Sequence, residues 1–193
     1  EAMAMAHRVS KTERDVFFVD RDTHPQTVAV LETRARGFGF ELVLGDPTTD
    51  LDTSKVFAAL LSYPGSSGQV RDYRKEIESL KGEGAMSIMA TDLLALILLK
   101  PPGELGADVA VGSAQRFGVP LGFGGPHAAF FATLETHKRR LPGRVSNRRI
   151  RDASSRVPSA STSCRTARIF WSAVRPACVK GVELSTASAV ATA

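Results

Sequence analysis

The residues able to do chemistry lie mainly between positions 92 and 127. Asp92 follows the apolar run 86–90, where a buried strand should end, and a strand-end carboxylate can balance a ligand's cation or simply cap its own loop. Arg116 has a planar guanidinium fork suited to a carboxylate or phosphate; the competing reading is a solvated or salt-bridged arginine. Residues 122–127 read Gly-Phe-Gly-Gly-Pro-His. Gly122, Gly124 and Gly125 would let backbone N–H groups approach a phosphate closely, although an ordinary turn also uses such glycines. His24 and His127 can exchange protons near neutral pH, and His24 suits a helix start equally well. His7 and His137 have no identifiable partner and receive no role. Cys164 and Cys178 have no nearby thiol or histidine at a zinc-ligand spacing, so neither a metal site nor a disulfide framework is expected.

The elements that must position these residues alternate. Residues 16–19 form a short apolar run before Asp20, Asp22 and Thr23, which reads as a buried strand ending in a turn. A helix is expected next. Thr23 or His24 would cap it, Pro25 suits its first turn, Val28, Leu31 and Ala35 recur at helical spacing, and Gly37 and Gly39 end it. Residues 41–44 read as the next strand; residues 56–61 fit a buried strand or a helix and lead into the loop 63–68. Val70, Tyr73, Ile77 and Leu80 share one helical face, closed by Gly82 and Gly84 before the strand 86–90. Such alternation predicts an α/β domain with a mostly parallel sheet, whose ligands are met at the carboxyl ends of the strands.

Length and charge set limits. The 193 residues suffice for about one domain. The longest apolar stretch, 93–99, falls far short of the roughly 20 residues of a membrane span, so no membrane association is expected. The first eight residues resemble the middle of an alanine-rich helix rather than a signal peptide, and the expectation is a chain that begins inside a longer protein. The formal charge of +5 is uneven: residues 1–143 hold 16 Lys and Arg against 18 Asp and Glu, and residues 144–193 hold 9 against 2. Basicity belongs to the tail alone.

One stretch carries a family resemblance. Ala-Thr-Asp-Leu-Leu-Ala-Leu at 90–96 and the run from Pro101 to Ala132 resemble the amino-terminal half of the glycine cleavage system P-protein almost residue for residue. His24-Pro25-Gln26-Thr27, Tyr63-Pro64-Gly65 and Leu141-Pro142-Gly143-Arg144 follow in that family's order. The resemblance implies one of two halves, joined in one chain or split between subunits, each a fold-type-I pyridoxal phosphate (PLP)-dependent transferase-like domain. It also implies that only the carboxyl-terminal half bears the cofactor's lysine. On that resemblance Asp92 takes the position of the aspartate that faces the pyridinium nitrogen, and Gln115 takes the position of the lysine, so this half would not hold PLP covalently. The loop of Gly122, Gly124 and Gly125 would help to enclose PLP held by the other half, with Arg116 and His127 as further candidates. The implied activity is glycine dehydrogenase (decarboxylating): PLP-dependent decarboxylation of glycine with aminomethyl transfer to the lipoyl group of H-protein. The expected partners are the carboxyl-terminal half or subunit, H-protein and glycine, in a dimeric assembly. The setting would be the cytoplasm of a bacterium or the mitochondrial matrix of a eukaryote.

Two units are therefore expected: 1–143, a partial transferase-like domain lacking the lysine, and 144–193, a basic tail rich in Ser, Arg and Ala without helical or alternating period. The tail lacks the family's Thr-Arg-Glu-Gln-His run. Its abrupt change of composition is what a frameshift or an erroneous gene end would produce. The alternatives are a disordered basic extension and, as a different function, a non-catalytic module that binds nucleic acid through this tail.

Overall fold

The computed structural model describes residues 1–117 and 129–142. The chain opens with α1 (Ala2–Val9), followed by β1 (Val16–Asp20), α2 (Pro25–Phe38), β2 (Glu41–Gly45), β3 (Val56–Tyr63), α3 (Arg74–Gly82) and β4 (Met86–Thr91). A 3-10 turn at Ala95–Ile97, α4 (Pro102–Leu105), β5 (Val109–Ser113), a second 3-10 turn at Gln115–Phe117, β6 (Ala129–Thr133) and a last 3-10 segment at Glu135–Arg140 complete the described elements. The strands form one sheet in the order β2-β1-β3-β4-β5-β6. All neighbours run parallel except β5 and β6, which are antiparallel with Val111 opposite Phe131.

The strand assignment of residues 56–63 is settled by position. β3 lies between β1 and β4, and all eight of its residues are buried, as a central parallel strand covered on both faces requires. Alternate residues feed two cores. Phe17, Ala58, Leu60, Ile88 and Val109 pack on one face with Met3, Met5 and Ala35, the last three from α1 and α2. Phe18, Ala59, Leu61 and Met89 pack on the other with Tyr73, Ile77, Leu80 and Leu105. Each buried Phe, Leu, Ile, Val or Met among them contributes about 1.5–3 kcal/mol relative to exposure. That burial holds α1, whose eight residues carry no side-chain cap and are too short to persist alone.

The expected boundaries of α2 hold at Pro25, in its first turn, and at Gly39, which ends it in the left-handed region at φ 76°, whereas Gly37 lies within its last turn. The expected face of Val70, Tyr73, Ile77 and Leu80 holds only from Tyr73 onward. Val70 lies before α3 and is exposed, because Arg71 reaches Asp46 and Tyr73 reaches Asp20, which pins the approach to the helix in a non-helical path. Gly112 in β5 is required by close approach, since a Cβ there would stand 2.0 Å from the Thr91 carbonyl oxygen of the neighbouring strand end.

Candidate functional site at the carboxyl edge of the sheet

β1 leads through α2 on one face of the sheet, whereas β3 leads through α3 on the other, so the strand order reverses between β1 and β3. Open α/β sheets meet ligands at the carboxyl ends of strands near such a reversal. Two clusters of polar residues occupy that edge.

The first gathers the expected site residues. Asp92 is the residue after β4, and the turn Gln115–Phe117 comes just after β5, the neighbouring strand. Arg116 Nη1 lies 3.1 Å from Asp92 Oδ2, while the Leu94 N–H donates to Asp92 Oδ1 at 3.0 Å. Two residues singled out separately thus form one ion pair, and both alternatives hold together: Asp92 caps its loop and Arg116 is salt-bridged. Gln115 opens the turn, its N–H donating to Ser113 Oγ at 3.1 Å. An amide side chain has no nucleophilic amine, and the Asp92 carboxylate is engaged on both oxygens. At the position that the resemblance gives to the lysine, Gln115 offers no amine to the PLP aldehyde, so these residues do not fit covalently held PLP.

The second cluster, at the ends of β1, β2 and β3, was visible in sequence only as a turn. Asp20 is fully buried; its Oδ2 accepts from the Tyr73 hydroxyl at 2.8 Å and the Ser62 N–H at 3.2 Å, and its Oδ1 from the Asp22 N–H at 2.9 Å. Burial, and then the bond to Asp20, push the Tyr73 phenol above its ordinary range. Thr23 and Ser62 share a buried hydroxyl–hydroxyl bond of 2.8 Å. Asp22 accepts from the Ser67 hydroxyl at 2.7 Å and its N–H at 2.8 Å, and the hydroxyl bond leads in lowering its carboxyl. Asp46 accepts from the Thr48 hydroxyl at 2.6 Å and pairs with Arg21 at 2.9 Å and Arg71 at 2.8 Å. The Thr48 hydroxyl, then Arg21, hold its carboxyl well below the usual range. These groups satisfy one another, which makes the cluster a brace between three loops.

His24 is the exposed residue before α2, without a side-chain capping bond. His7 corrects the expectation that it lacks partners: Nε2 lies 3.1 Å from Asp15 Oδ1, and its ring packs 4.4 Å from that of Phe40 and 4.9 Å from that of Phe57. Gly122, Gly124, Gly125 and His127 lie outside the described residues, as does the tail with Cys164 and Cys178. No group of metal-ligating side chains occurs among the described residues, and no described helix is long and apolar enough to cross a membrane.

Comparisons with known proteins bear on the family and the fold. The family model of the glycine cleavage system P-protein matches residues 1–153. The glycine dehydrogenase (decarboxylating) of Gluconobacter oxydans is 63% identical over 145 residues, and that of Bradyrhizobium diazoefficiens 61% identical over the same length; each match covers 75% of this chain and 15% of the relative. The chain thus spans about 15% of the length of the curated relatives it matches. A solved glycine decarboxylase (P-protein) in inhibitor-bound form superposes with a TM-score of 0.65 at 35% identity, over 74% of this chain and 33% of that one. An O-acetylhomoserine sulfhydrylase of Wolinella succinogenes, at 18% identity and a TM-score of 0.51 over 64% of this chain and 36% of that one, shares the fold alone. Nothing in these relatives favours a nucleic-acid-binding module. By sequence and by fold, the chain belongs to the glycine cleavage system P-protein family.

Proposed function

We propose that the chain is a lysine-free part of a glycine decarboxylase, working beside a second fold-type-I unit that bears the PLP lysine. The observation that supports this reading is the pairing of Arg116 with Asp92 next to Gln115, at the positions where the family resemblance puts the cofactor's aspartate and lysine. PLP held by the other unit would supply the electron sink for loss of carbon dioxide from glycine. This chain's part is to position and enclose: its carboxyl edge would form a wall of the partner's site, a task that the family resemblance extends to Gly122, Gly124, Gly125 and His127. The aminomethyl group would pass to the lipoyl arm of H-protein, in the cytoplasm of a bacterial host. Residues 144–193 would take no part in this, in keeping with their break in composition.

The test mixes the full chain with a lysine-bearing carboxyl-terminal half prepared from the Gluconobacter oxydans relative, in the presence of PLP, glycine and H-protein. The chain alone should release no carbon dioxide, and the mixture should release more than the carboxyl-terminal half alone. Equal release with and without the chain would refute the reading.

A further inference from the structure

The Asp92–Arg116 pair joins the ends of two neighbouring strands. β4 runs parallel to β5, so the residue after one strand and the turn after the other stand side by side at the carboxyl edge. The Asp92 side chain is 29% exposed, and its two oxygens have separate partners, the Leu94 N–H on Oδ1 and the Arg116 guanidinium on Oδ2. The backbone bond holds the carboxylate at the head of its loop, and the guanidinium supplies the counter-charge. An arginine does not lose its proton in a protein, so this cation does not leave by titration. Gln115, the residue before it, carries an amide.

We infer that Arg116 is a second bar to PLP in this unit, separate from the absent amine, because its guanidinium holds the place beside Asp92 that a protonated pyridine nitrogen would take. The inference rests on the proposed function and deepens it, dividing the loss of the cofactor between two adjacent residues with different roles. PLP is held at two reactive points, by an amine at its aldehyde and by a side-chain partner at its ring nitrogen. Gln115 removes the first. At the second, a carboxylate already paired with a guanidinium offers a pyridinium no net charge, and the guanidinium itself repels it. An amine restored at position 115 alone therefore does not suffice. The two roles are separable by experiment, since so exposed a pair contributes little to the stability of the fold.

The test titrates the full chain and its variants with PLP, traps adducts with borohydride and quantifies the modified peptide that contains position 115. Gln115→Lys alone should give no more adduct there than the exposed Lys75 gives in the same sample. Gln115→Lys with Arg116→Ala should raise the adduct at position 115 by at least about fivefold at the same PLP concentration, the effect of freeing one charged partner. Adding Asp92→Asn should remove that gain. Circular dichroism of each variant checks the fold, and Arg116→Gln, similar in length and uncharged, replaces Arg116→Ala should the latter fail to fold. Full occupancy of position 115 with Arg116 in place, no gain on its removal, or a gain that persists with Asp92→Asn would each overturn the inference and leave the lysine-free reading standing. One PLP held by each unsubstituted chain would overturn the proposed function, and the inference with it.

Discussion

Gly65 packs so closely on Asp22 that a Cβ at this glycine would stand 1.8 Å from the Asp22 Oδ2. The carboxylate cannot yield without giving up the Ser67 hydroxyl and N–H, so the loop after β3 is fastened to the turn after β1 at the point where strand order reverses. Gly65→Ala should therefore destabilise the fold by about 1–3 kcal/mol, the usual cost of forcing atoms into a packed site. Gly37→Ala, in the last turn of α2 with nothing within 4 Å, should instead stabilise it slightly, by at most about 0.5–1 kcal/mol. Urea midpoints of the two variants, compared with the unsubstituted chain, check the opposite signs.

Tyr73→Phe removes a hydroxyl donor from a fully buried carboxylate and should cost about 1–3 kcal/mol near neutral pH. Its pH dependence is specific. The phenol's pKa is raised in the folded state, so the stabilisation is complete below the unfolded value of about 10 and declines as pH rises through the folded value. The stability lead of the unsubstituted chain over Tyr73→Phe should accordingly shrink above about pH 10. A lead that grows with alkalinity would contradict the Asp20–Tyr73 geometry.

The acid limb has the opposite sign. Asp22, Asp46 and Asp50 are held below their ordinary range, and Asp52 and Asp72 are each lowered to about 2. Their stabilisation is present above the unfolded value of about 4 and is lost as pH falls through the folded values. Denaturation profiles should show stability falling as pH drops below about 4. Asp46→Asn should be less stable at neutral pH and lose less on acidification, because its bonds to Thr48, Arg21 and Arg71 no longer depend on a charge.

The Asp92–Arg116 pair is half exposed on the arginine side, and such pairs contribute about 1 kcal/mol or less. Arg116→Ala should therefore shift the thermal midpoint by only a few degrees for a domain of this size. A loss comparable to that of Tyr73→Phe would show that the pair carries structural weight beyond its local contacts.

Much of this architecture was legible because β1 and β3 are unbroken apolar runs bounded by turn residues, and because Pro25 and Gly39 punctuate α2. The family resemblance then pointed to Asp92, Gln115 and Arg116 before any contact was visible. Their mutual arrangement was not legible, since Asp92 meets Arg116 only because β4 and β5 are neighbours. Likewise Tyr73 reads as one more apolar position on a helical face, and its hydroxyl finds Asp20 53 residues away through the packing of α3 beneath β1 and β3. Val70 was misplaced for the same reason, a tertiary bond overriding local periodicity.

With glutamine at 115, this unit should not anchor PLP. Titration of the full chain with PLP, followed by borohydride reduction and peptide mass spectrometry, measures this. No stoichiometric adduct at any single residue is expected. One PLP per chain trapped on a particular lysine, Lys100 after the β4 loop for example, would contradict it and move the anchor into this unit.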